Sequence, residues 1–199
     1  MLFSFSFLFV QLSEVCCGGS LISPSEVLSA YHCSCNWELQ GQHVDYRALN
    51  SFAILGAHNL NNIHETYIKK KIIDVQFPPK PSPFISRNKL SENHHDFALF
   101  VLNEPVKFST KISPICLPSQ DQTFYGKTAT AAGWGQTSPG RTLPDETGSP
   151  VLKKVQMTVG GVISTNKINA TSMAGQGHGA CPGDSGYFFG LAYQTSNEN

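Results

Sequence analysis

Ser185 lies in the run Gly183-Asp184-Ser185-Gly186. A glycine-flanked turn of this kind can present a hydroxyl to a substrate carbonyl. A neutral serine hydroxyl is a weak nucleophile, and it needs a base within hydrogen-bond reach and a third group to orient that base. The chain offers His32, in Ala30-Tyr31-His32-Cys33, and Asp96, at the head of the apolar run 97–102. In that arrangement His32 takes the Ser185 proton and later delivers it to the leaving group. Asp96 fixes the imidazole tautomer and stabilises the imidazolium. Each residue also has a plainer reading. His32 beside a cysteine could be a partly buried structural histidine, and Asp96 could cap a strand. His94-His95-Asp96 could suggest a metal site, but adjacent histidines point apart on a strand and no third ligand is placed. No metal and no cofactor are expected.

Further motifs occur in order around these residues: Cys17-Gly18-Gly19-Ser20-Leu21-Ile22-Ser23, Val27 to Cys33, Leu55-Gly56-Ala57-His58-Asn59, Pro114 to Pro118, and Ala131-Ala132-Gly133-Trp134-Gly135. Together with Gly183 to Gly186, and with the chain order His, Asp, Ser, they resemble the chymotrypsin/trypsin-like serine proteases. The resemblance runs from Cys17 to Gly186 and departs at Tyr31, where the family has alanine. It implies an all-β fold of two packed six-stranded Greek-key barrels, with His32 and Asp96 in the first barrel and Ser185 in the second. It implies a serine endopeptidase working through an acyl-enzyme, with protein or peptide substrates and protease inhibitors as partners. The Gly183 and Ser185 N–H groups would form the oxyanion hole. Gly179 would floor the primary specificity pocket, where the lack of a fixed charge disfavours a basic preference. Cys17 would bond Cys33 and fasten the loop that carries His32. Cys16 and Cys35 flank that pair, an arrangement compatible with a second bridge. Cys116 and Cys181 resemble cysteines whose partners are not found in this chain.

Three departures from the family bear on activity. No Ile-Val-Gly-Gly start is present to release an α-amino group for pairing with Asp184, and a desolvated carboxylate without a partner is unfavourable. Tyr187 stands where the family continues with glycine. The chain ends at Asn199, soon after Ser185, so the second barrel is expected to be incomplete. The sequence therefore reads as an impaired, truncated form of a serine endopeptidase. The alternative is a non-catalytic homologue that binds a protein partner.

Bulk properties narrow the class. The 199 residues carry 14 basic and 14 acidic side chains, a balance that gives no pull toward nucleic acid or an anionic membrane. The one basic run, Lys69-Lys70-Lys71, reads as a solvated strand or loop face. Six cysteines point to an oxidising, extracellular compartment. Secretion would also give meaning to the sequon Asn169-Ala170-Thr171. No segment is long and apolar enough for a membrane-spanning helix. Residues 1–10 allow two readings, a signal h-region or a first strand in which Phe3, Phe5, Phe7 and Phe9 alternate with mostly polar neighbours.

The elements that must position these groups read as strands. Residues 20–22 and 27–30 flank a Pro24-Ser25 turn, 51–55 end at Gly56, and 67–77 stop at Pro78-Pro79. Residues 97–102 are apolar on both faces, as in a strand buried between barrels. Residues 128–134 and 152–159 open a second set, with Val155, Met157 and Val159 alternating with Lys154, Gln156 and Thr158. Gly133-Trp134-Gly135 reads as a structural bend. Against the family, two inserts, 34–48 and 78–93, look longer than usual, and the second, with prolines at 78, 79, 81 and 83, reads as an exposed loop. A polar linker at 117–122 divides the chain into a first domain, 1–118, and a second, 119–199.

Overall fold

The computed structural model describes residues 5–10, 14–30, 33, 51–62, 64–76, 97–135, 148–164 and 167–175. Nine strands occur among them: β1 (Phe5–Val10), β2 (Glu14–Ser23), β3 (Glu26–Ser29), β4 (Phe52–Leu55), β5 (Ile68–Gln76), β6 (Ala98–Leu102), β7 (Thr128–Gly133), β8 (Lys153–Ser164) and β9 (Lys167–Ser172). The described elements are all β, as expected.

Strands β1 to β6 close into a barrel in the order β1-β2-β3-β6-β5-β4. The first three strands are consecutive and β4 returns beside β1, which is the Greek-key connection. β1 carries backbone pairing on both sides, Leu8 with Cys17 of β2 and Leu8 with Ala53 of β4. The strand reading of the N-terminal segment is therefore the one the fold uses, and closing the barrel leaves no free strand edge there.

The β2–β3 hairpin follows directly from Pro24-Ser25. Proline presets φ for a turn, and the Ser23 hydroxyl donates to Glu26 Oε2 at 2.6 Å while accepting from the Ser25 N–H at 3.3 Å. Gly19 is required by the same hairpin. A Cβ at this position would stand 2.7 Å from Val27 Cγ1 and 3.1 Å from the Leu28 carbonyl oxygen. Alternation then fills the interior: Leu21, Val27, Ala53, Leu55, Ala98 and Phe100 are all fully buried. Val106 and Ile112 join this core from the segment after β6. That segment is tied down by N–H donation from Val106 to Pro24 O at 2.8 Å and from Ile115 to Leu21 O at 2.8 Å.

In β5 Lys69 and Lys71 are exposed on one face, while Lys70, on the other, is half-buried. Lys69 Nζ lies 4.1 Å from the Phe52 ring centroid. Lys70 pairs with Glu104 at 2.6 Å. β6 begins at Ala98, one residue later than expected, and Phe97 is 47 % exposed. The strand is buried on one face at Ala98, Phe100 and Leu102, while Leu99 and Val101 are half-buried.

The second set forms a three-stranded sheet, β7-β8-β9. Met157 and Val159 are buried and Lys154, Gln156 and Thr158 are exposed, in the expected alternation. β8 runs on to Ser164 through a bulge at Gly160-Gly161, and β9 completes a hairpin beyond the two strands expected here.

The barrel and this sheet meet at one patch. Ile54, Ala57 and Trp134 are buried together, with Leu60 and Leu152 packed against them. The His58 carbonyl accepts from Leu152 N at 2.9 Å and from Trp134 Nε1 at 3.0 Å, which uses both of its lone pairs. Leu60 N donates to Pro150 O at 2.8 Å, completing a short antiparallel bridge around Asn59 and Val151. Gly56, at φ 79°, turns the chain out of β4 into this contact.

Candidate active site

The strands leading to two of the three candidate catalytic residues are neighbours. β3 pairs antiparallel with β6, and Ser29 is the cross-strand partner of Ala98. Ser29 stands three residues before His32, and Ala98 two residues after Asp96. Antiparallel partners sit about 4.5–5.5 Å apart at Cα, so the chain approaching His32 and the chain leaving Asp96 belong to one end of one strand pair. The burial pattern fixes that register, because a slip of one residue would turn Val27 and Phe100 out of the core.

The Cys17–Cys33 disulfide adds a covalent anchor, with Cα atoms 6.0 Å apart. This is the pairing that the resemblance implied. Cys33 immediately follows His32, is 2 % exposed, and donates its N–H to Ala30 O at 3.1 Å. Ala30 and Cys33, which bracket residues 31–32, are thus held to each other and, through the disulfide, to β2. At the same end of the hairpin the Ser29 hydroxyl donates to Gly18 O at 2.6 Å in a buried position.

His32, Asp96 and Ser185 themselves lie outside the described residues, as do Gly179, Gly183, Asp184, Cys181, Cys35, His94 and His95. Cys116 is an exposed free thiol. Asn169 is exposed on β9. Among the described residues no group of three or more His, Cys, Asp or Glu is placed to hold a metal, and no helix is long and apolar enough to cross a membrane.

One contributor to this scaffold had no signal in the sequence. Glu65 turns its carboxylate to the N–H groups of His58 and Asn59, at 2.8 and 2.6 Å. It thereby shapes the loop whose carbonyl receives Trp134. A side chain serving backbone amides six and seven residues away belongs to no periodic pattern. A shallow depression lined by Gly56, Tyr67, Ile68 and Ile112 lies at the start of β5. β5 pairs with β6 further along, from Ile72 to Gln76.

Comparison with known proteins agrees with this architecture. Residues 5–186 match the family model described as Trypsin. The chain is 32% identical over 146 residues to serine proteinase stubble of Drosophila melanogaster, covering 72% of this chain and 16% of that protein. It is 33% identical over 141 residues to glandular kallikrein-10 of Rattus norvegicus, covering 68% of this chain and 49% of that protein. Melanization protease 1 of Drosophila melanogaster is 32% identical over 131 residues, covering 61% of this chain and 32% of that protein. The chain thus spans about half or less of the length of these relatives. With the family match running across the closed Greek-key barrel, the β7–β9 sheet and on to Gly186, this chain belongs to the trypsin family, the trypsin-like serine proteases.

Proposed function

We propose that the chain is a serine endopeptidase whose triad is His32, Asp96 and Ser185. The observation that carries this reading is the Ser29–Ala98 register, which brings the β-strand segments flanking His32 and Asp96 together beside the Cys17–Cys33 anchor. The match to the family through residue 186 supports Ser185 as the third member. In this mechanism Ser185 Oγ attacks the scissile carbonyl as His32 takes its proton. His32 then protonates the leaving amine, and water repeats the cycle on the acyl-enzyme. The Gly183 and Ser185 N–H groups receive the developing oxyanion, where one donor is worth about 2.7–4 kcal/mol. Gly179 at the floor of the pocket supplies no charge, so the preferred side chain there is not Arg or Lys. Protein substrates and protein inhibitors in an extracellular setting fit a site of this class. The two-domain division at residues 118 and 119 would place Ser185 across a cleft from His32 and Asp96.

A second reading, a homologue that binds a protein partner with little or no turnover, is favoured by Tyr187, which follows Gly186 in the sequence where the family continues with glycine. An active-site-directed fluorophosphonate probe separates the two. Covalent labelling that disappears in Ser185→Ala and in His32→Ala is expected for the endopeptidase. It should rise from acid to neutral pH, because the histidine acts as base only when its imidazole is neutral. Folded protein that takes up no label across that range would establish the second reading instead.

A further inference from the structure

We propose that Asn169 is an N-glycosylation site, and that β9 holds the glycan on the open face of the second sheet. Asn169-Ala170-Thr171 is a sequon. It lies within β9, where Asn169 and Thr171 are exposed and the intervening Ala170 is half-buried. Residues two apart on a strand share a face, so the amide that would receive the sugar and the hydroxyl that completes the signal project to the same side.

The local backbone favours an attachment at this position. Val159 pairs with Ala170 and Val162 with Ile168, so Asn169 faces the two bulge residues Gly160 and Gly161 rather than a single partner. A Cβ on Gly160 would stand 3.2 Å from Asn169 Cβ. Glycine here leaves the base of the Asn169 side chain free of a cross-strand neighbour. Thr128 and Thr158, cross-strand partners of each other, are exposed along with Thr171, which pairs with Thr158. Tyr125, 74 % exposed, lies against Gly161. Among the described residues, those paired around Asn169 are thus small, namely Gly160, Gly161, Thr158 and Thr171, and the exposed Met173 lies just beyond the same strand against Thr128. The Cys17–Cys33 bridge is an independent sign of an oxidising compartment, where the co-reactant for this modification is found. That co-reactant is an oligosaccharide linked to a lipid pyrophosphate. Asn169 Nδ2 forms the new bond to the sugar anomeric carbon and gives up a proton. The bond from that carbon to the phosphate oxygen breaks, and the lipid pyrophosphate leaves.

The test is translation of the full 199-residue chain behind a cleavable export signal, with endoplasmic-reticulum microsomes. The protease-protected fraction is the one read on a gel. A shift of one oligosaccharide is expected in the parent chain and in Thr171→Ser, and no shift in Asn169→Gln or Thr171→Ala. An amidase that cleaves N-glycans should release the sugar from the native, non-denatured protein. Protected chain without a shift, or a shift that persists in Asn169→Gln, overturns the site. Release only after denaturation overturns its placement on an open face.

Discussion

Individual residues hold the framework around the candidate site through contacts that substitution can isolate. Gly19→Ala would push a methyl group toward Val27 Cγ1 and the Leu28 carbonyl. The expected loss is about 1–3 kcal/mol, as for overpacking elsewhere, seen as a lower urea midpoint at unchanged slope. The disulfide closes a loop with a sequence separation of 16, and loops of that length are worth about 3 kcal/mol. Cys17→Ser with Cys33→Ser should lower stability by that amount. It should also reduce fluorophosphonate labelling of Ser185 more than the stability loss explains, because the chain beside His32 is then tethered only by hydrogen bonds. Equal labelling rates at a temperature where both proteins are folded would show that the bridge serves stability alone.

Among the strands, β5 exposes Lys69, Lys71 and Ile73 while Lys70 is half-buried. Its half-buried Lys70 reaches Glu104 beyond the end of β6. The hydrogen bond from Lys70, then its positive charge, holds the Glu104 carboxyl below its ordinary pKa. A carboxyl lowered in the folded state contributes stability above its unfolded pKa. That contribution is lost as pH falls through the lowered folded value. Glu104 is exposed, so the pair should matter little to overall stability and be screened by salt. Carboxyl titration by NMR is therefore the direct measurement. Lys70→Met should return Glu104 to the ordinary glutamate range, and a midpoint that stays low would assign the shift to another cause.

For the molecule as a whole, the contact between barrel and sheet is the feature with most leverage. Trp134 is 3 % exposed and packs with Ile54 and Ala57 while its indole N–H donates to His58 O. Trp134→Ala should cost about 3–5 kcal/mol, the usual range for a buried large aromatic. Trp134→Phe keeps most of the ring and loses mainly the hydrogen bond, so about 0.5–1.5 kcal/mol is expected. Glu65→Ala should act on the same contact from the other side by freeing the His58 and Asn59 amides. In a double-mutant cycle with Trp134→Phe the two losses should be non-additive, since one loop carries both. Strict additivity would mean that the loop keeps its shape without Glu65.

Much of this protein is written locally. Ser23-Pro24-Ser25-Glu26 specifies its own hairpin through proline geometry and a serine–carboxylate contact, and the alternation of Val155, Met157 and Val159 specifies a strand and its inward face. The motifs around His32, Asp96 and Ser185 named the family and the candidate chemistry in the same way, because residue type and order are properties of the chain itself. Tertiary structure decided what depends on distant partners. The segment at Phe5 to Val10 could have been a signal or a strand on composition, and pairing with β2 and β4 made it the strand that closes the barrel. β9 alternates only Ile168 and Ala170 with polar residues, and its place in the sheet is set by pairing with β8, Thr171 opposite Thr158 and Ala170 opposite Val159. The Glu65 cap, the shared His58 carbonyl and the Ser29–Ala98 pairing join residues that no sequence periodicity relates. Tertiary packing brings such residues together, since burying the inner strand faces and satisfying the backbone groups leaves few alternative registers.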